Sequence, residues 1–287
     1  MQDSADHDHG AGDTDGHADR ARAEHLRTEL TRLGRSDHGF VNPAITRAST
    51  VTFQTVAEFE DALSCDLQNG PYTYGLLDTP TERSLSQSLA SLDGADGGIL
   101  VESGLAAVGV ALLAFVEQGD HVLMVDSCYG PSRIICDGLL ARLGVETEYY
   151  DPRIGQDDRP GIETLLRENT RMVFMESPGS VTFEMQDVPG ISAACRKRDI
   201  VTAIDNTWAT PLGFRPVEHG VDVVVHALTK YVTGHADVML GALTARTRPI
   251  WDRLKTTAMD LGHGASPDDA WLALRGLRTL AVRLDAH

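Results

Sequence analysis

From about residue 78 the chain alternates helical and strand-like apolar runs, the rhythm of a parallel or mostly parallel sheet covered by helices, and so of an α/β fold. Thr79-Pro80-Thr81-Glu82 opens the first clear helix. Thr79 caps it, Pro80 takes the first helical position, Glu82 completes a capping box, and Leu85, Leu89 and Leu92 share one face before Gly94 ends it. Gly98-Ile99-Leu100-Val101 then reads as a strand, Leu105 to Val116 as a helix, Gly119-Asp120 as a turn and His121-Val122-Leu123-Met124-Val125 as a second strand. Further strands are predicted at 145–150, 171–176, 200–205 and 222–227. They are rich in Val, Ile and Met with little polar alternation, as strands buried on both faces are. There is no internal repeat.

In an open α/β sheet, ligands bind beyond the carboxyl ends of the strands, so the residues just after each apolar run are the candidates for chemistry. Those residues are Ser103-Gly104-Leu105, Asp126-Ser127-Cys128-Tyr129, Asp205-Asn206-Thr207-Trp208 and Thr229-Lys230-Tyr231. Lys230 follows an apolar strand that delivers an ammonium group to the ligand edge. Partial burial there would lower its pKa and make it a nucleophile; the alternative is a lysine snorkelling to solvent. Asp205 either pairs with a protonated ring nitrogen or caps the following turn. Ser103-Gly104-Leu105 opens a helix directly after a strand and aims backbone N–H groups at an anion such as phosphate, with Gly104 allowing close approach. Tyr129 either stacks on a flat ring or simply packs.

Composition narrows the field. The chain has 287 residues, 42% of them hydrophobic and 23% charged, which is the make-up of a globular protein with one main body. A formal net charge of −17 without a basic patch argues against nucleic acid. Asp and His alternate among Gly and Ala over the first twenty residues, where almost nothing apolar is available to bury, so a disordered tail is expected over 1–22 and no metal site is assigned. Cys65, Cys128, Cys136 and Cys195 form neither CxxC pairs nor a disulfide framework. Gly104 to Val116, the longest apolar stretch, falls short of the roughly twenty residues of a membrane span. The expectation is a cytoplasmic protein with free thiols.

Tyr72-Thr73-Tyr74-Gly75, Glu117 to Met124, Glu176-Ser177-Pro178-Gly179, Ile204 to Trp208, Thr229 to His235 and Arg275 to Leu280, in that order, closely resemble the Cys/Met-metabolism enzymes that depend on pyridoxal 5′-phosphate (PLP), the cystathionine β-lyase branch above all. The resemblance covers roughly residues 38 to 287. It implies the large domain of the PLP-transferase fold (fold type I, aspartate-aminotransferase type) in a dimer of dimers. It implies Lys230 as the Schiff-base lysine, Asp205 on the pyridine nitrogen, Tyr129 on the ring, Gly104, Leu105 and Thr229 near the phosphate, and Tyr74 reaching a neighbouring subunit's site. The implied reaction is β-elimination of a sulfur-containing amino acid, L-cystathionine giving homocysteine, pyruvate and ammonia in methionine biosynthesis, with γ-synthase or γ-lyase chemistry or an impaired remnant as alternatives.

Two departures stand out. The family usually reads Tyr-x-Arg where this chain has Tyr74-Gly75-Leu76, and a leucine cannot grip a phosphate bidentately, so weakened PLP affinity is expected. The chain also stops at His287, where relatives continue for about another hundred residues, a small domain's worth. The expected organisation is a tail at 1–22, an extended arm at 23–77, a PLP-binding large domain at 78–260, and at 261–287 the start of a connecting helix to a C-terminal domain that the sequence does not include. Leu228 either shapes the phosphate side of the pocket or packs.

Overall fold

The computed structural model describes residues 14–35 and 39–287. Helix α1 (Thr14–Leu30) and α2 (Val56–Ser64) precede α3 (Pro80–Asp93). There follow β1 (Gly97–Val101), α4 (Gly104–Leu113), β2 (His121–Val125), α5 (Gly130–Ile134) continued by a π turn, β3 (Glu146–Tyr150), β4 (Thr170–Glu176), α6 (Val188–Arg196) and β5 (Val201–Asp205). The short α7 (Thr210–Gly213), β6 (Val223–His226), β7 (Gly241–Ala245), α8 (Arg248–Asp260), α9 (Pro267–Leu277) and α10 (Leu280–Ala286) complete the chain.

The seven strands form one sheet in the order β1-β7-β6-β5-β4-β2-β3, parallel from β6 to β3, with β7 antiparallel to both of its neighbours. The mostly parallel sheet expected from the sequence is therefore present. Strands β2, β6 and β7 lack polar alternation because both their faces are covered: they are buried at every position. The larger core packs the sheet against α4, α6 and α8, and a second core joins Leu26 and Leu30 of α1 to Leu85, Leu89 and Leu92 of α3 and to α9 and α10. Each such buried leucine contributes roughly 1.5–3 kcal/mol.

Helix α3 follows the capping signals closely. The Thr79 hydroxyl accepts the Glu82 N–H at 3.4 Å, and Gly94 ends the helix at φ 70°, a left-handed conformation that favours glycine. Three expectations need correction. Residues 1–13 of the expected tail lie outside the described residues, but 14–22 belong to α1, whose later turns are anchored by buried Leu26 and Leu30. The arm at 23–77 holds the rest of α1 and all of α2 besides extended chain. Helix α4 ends at Leu113, three residues before Val116. Strand β7 has no counterpart among the predicted elements, because Gly-Ala-Leu-Thr-Ala carries little β-branched signal.

Candidate active site

Strands β2, β4, β5 and β6 all present their carboxyl ends to the same edge. After β2 the chain builds β3 on one side and then returns to place β4 on the other, so the strand order reverses between β2 and β4, where a crevice opens in folds of this kind. A cavity of about 780 Å³ lies at this edge, and Gly104, Tyr129, Glu176, Asp205, Thr229 and Lys230 are among its lining residues. The four loops singled out in the sequence thus converge on one pocket.

Lys230 sits in the turn that follows β6. Its N–H donates to the Ala227 carbonyl at 3.0 Å, its own carbonyl accepts the Gly234 N–H at 2.8 Å, and Nζ lies 5.7 Å from the centroid of the Tyr129 ring. Where partial burial of Lys230 was expected, β6 stops at His226 and Lys230, in the turn beyond it, is exposed. Asp205 closes β5 and accepts the Thr207 N–H at 2.9 Å. Burial raises its carboxyl above the usual range, against the opposing pull of Thr207 and of the charges on His226 and Lys230. His226 itself is buried with its Nε2 2.8 Å from Asp93; burial disfavours its charge, but that carboxylate outweighs it and the imidazole pKa is raised.

Ser103 caps α4 by accepting the Ala106 N–H at 3.1 Å, which leaves the first N–H groups of the helix, on Gly104 and Leu105, without an intrahelical partner at the cavity wall. A Cβ on Gly104 would lie 2.6 Å from the Ala227 side chain, so glycine is required for α4 to start this close to β6. The Thr229 hydroxyl lines the pocket but is engaged with Leu240, donating to its carbonyl at 3.2 Å and accepting its N–H at 3.0 Å. Leu228 is fully buried in the second core and packs.

Tyr74 is not brought into this pocket. It stands on the arm, 47% exposed, bridged to Thr50, and its neighbour Leu76 lines a separate cavity of about 380 Å³ with Asp78, Glu82 and Lys255.

Two lining residues, Glu176 and Phe183, were given no role by the sequence reading, and Thr207, inside a strand-end segment it singled out, makes contacts of its own. Glu176 ends β4 in register with Asp205, accepts the Tyr129 N–H at 2.7 Å, and has its carboxyl pushed up to about 7 by burial and by the Asp205 charge. Thr207 supplies the N–H that Asp205 accepts, and its hydroxyl accepts the Ala227 N–H at 2.8 Å. Phe183 meets Trp208 edge-on at 6.1 Å across the mouth, from a loop in which Val181 and Phe183 hold the left-handed conformation at φ 67° and 61°. The strand-end rule applied to β4 would have found Glu176; nothing local signals Phe183.

A helix N-terminus, an amine and a carboxyl group at the strand ends of a doubly covered sheet define a site for an anionic, ring-bearing cofactor. The chain belongs to the Cys/Met metabolism PLP-dependent enzyme family, whose pattern it matches over residues 27–287. A relative from Rhizobium johnstonii is 49% identical over 265 residues, which cover 91% of this chain and 64% of the relative. Cystathionine beta-lyase MetC of Escherichia coli is 43% identical, with coverage of 91% and 66%. Among solved structures, cystathionine gamma synthase from Xanthomonas oryzae pv. oryzae superposes with a TM-score of 0.80 at 29% identity, covering 90% of this chain and 64% of that one. The chain thus spans about two thirds of the length of these relatives.

Proposed function

We propose that this chain carries the cofactor-binding half of a PLP-dependent carbon–sulfur lyase that breaks the Cβ–S bond of L-cystathionine, releasing homocysteine, pyruvate and ammonia. The observation that carries the reading is the convergence of Lys230, Tyr129, Asp205 and the start of α4 on one cavity at the reversal of strand order. The donor set fits PLP. Lys230 would hold the cofactor covalently, Asp205 would pair with the ring nitrogen, Tyr129 would lie on the ring, and the Gly104 and Leu105 N–H groups would bind the phosphate beside Thr229. The bound cofactor supplies an electron sink for the substrate's α-carbon.

The protein's own groups do the rest. Lys230 Nζ would take the proton from Cα and return one to the departing sulfur. The negative charge of Asp205 holds a proton on the ring nitrogen, which keeps the sink effective. Cystathionine β-lyase activity in the Escherichia coli relative supports β- over γ-elimination.

The reading extends to the assembly and its setting. It places the PLP-binding domain at 78–260, makes the working unit a dimer of dimers with the exposed Tyr74 serving a neighbouring subunit, and locates it in the cytosol, in keeping with four free cysteines. The test is product analysis from L-cystathionine in the presence of PLP. Pyruvate is expected; 2-oxobutyrate as the main keto acid would assign γ-elimination instead.

A further inference from the structure

Two strand-end segments meet where the strand order reverses, and one carboxyl group joins them. Glu176 is buried, 8% exposed, at the end of β4. One of its oxygens accepts the Tyr129 N–H at 2.7 Å, from the turn after β2, and the other bonds the Ser180 hydroxyl in the loop after β4. The same two segments are stitched again where the Ser180 N–H donates to the Ser127 carbonyl at 2.8 Å. They approach so closely that a Cβ on Gly179 would sit 2.4 Å from the Ser127 hydroxyl. Across the sheet Glu176 is paired in register with Asp205, and paired residues of parallel strands point to the same face.

A buried carboxyl group is costly unless its oxygens are used, and here both are used by the segment that presents Tyr129 and by the loop at the pocket mouth. We infer that Glu176 is a positioning residue for the cofactor ring: it fixes the height of Tyr129 above the pocket floor and forms that floor together with Asp205, so one side chain links ring stacking to ring-nitrogen pairing. The inference rests on the assignment of this pocket to PLP. The charged and titratable groups around Glu176 are Asp205 on β5, Lys230 after β6 and Cys128 after β2. Burial and the Asp205 charge push the Glu176 carboxyl up to about 7, so Glu176 is largely neutral below that pH.

The experiment titrates the full chain with PLP by visible absorbance, for the wild type, Glu176→Ala and Glu176→Gln, and follows the bound-cofactor band between about pH 5.5 and 8.5, a range that brackets the Glu176 transition. Glu176→Ala is expected to bind PLP about tenfold more weakly, through loss of the buried hydrogen bond that positions Tyr129, and Glu176→Gln, which keeps an acceptor for Tyr129, within about threefold of wild type. The wild-type band is expected to change through a transition near 7 that Glu176→Gln lacks. Wild-type affinity in Glu176→Ala, or no rescue by Gln, would overturn the inference. If the Ala variant does not fold, an unaltered pH transition in Glu176→Gln overturns it and its loss supports it. A wild-type chain without any band would instead overturn the PLP assignment on which the inference stands.

Discussion

Asp205 is held at a strand end where burial works against its charge and Thr207, His226 and Lys230 support it. If its charge is what holds a proton on the ring nitrogen, Asp205→Asn removes that proton while changing little in shape. Pyruvate release from L-cystathionine should then fall at least about a hundredfold, with PLP still bound, as measured by a coupled keto-acid assay. Undiminished turnover would reduce Asp205 to the turn cap that it also is. At this scale the sequence was informative wherever a polar residue directly follows an apolar strand: Lys230, Asp205, Tyr129 and Gly104 all line one cavity. It was misleading about the surroundings of Lys230, because the length of the turn after His226, which sequence pattern does not encode, decides whether the side chain is buried. It was silent on Phe183, whose meeting with Trp208 depends on the left-handed path of a loop.

At the scale of elements, α3 shows how local signals and tertiary burial combine. Thr79→Ala should cost about 1 kcal/mol in chemical denaturation, the usual loss of an N-cap, since the Glu82 N–H then loses its acceptor. Glu82 carries a further, pH-dependent cost. Its folded-state carboxyl is pushed up to about 7 by burial, above the unfolded value, so the folded protein binds more protons than the unfolded one between those values and stability falls as pH rises through that window. Glu82→Gln should therefore gain on the order of 1–2 kcal/mol at pH 8 and almost nothing at pH 4.5, by denaturation at the two pH values. Equal effects at both would refute the assignment. Helix α3 was legible end to end because cap, first-turn proline, leucine spacing and terminal glycine all agree. Strand β7 was not, because small residues owe their place there to pairing with β1 and β6 and not to propensity. The helical character of 14–22 likewise depends on the docking of Leu26 and Leu30 further along α1.

For the whole molecule the arm is the decisive segment. Tyr74 and Leu76 lie outside the pocket of their own chain, so any hold they have on a cofactor is exerted on a neighbouring subunit. On that reading Leu76→Arg restores a bidentate phosphate contact and tightens PLP binding by about tenfold in a fluorescence titration; no change would detach Leu76 from cofactor binding. The most direct test of the central claim uses the scarcity of lysine, of which the chain has three, Lys197, Lys230 and Lys255. Lys255 is a demanding control, because burial lowers its pKa and favours the neutral, nucleophilic amine, whereas Lys230 is exposed. The chain would be incubated with PLP, reduced with borohydride and mapped by peptide mass spectrometry. The pyridoxyl adduct is expected on Lys230; an adduct on Lys255 or Lys197 with Lys230 unmodified would contradict the assignment of Lys230 as the Schiff-base lysine.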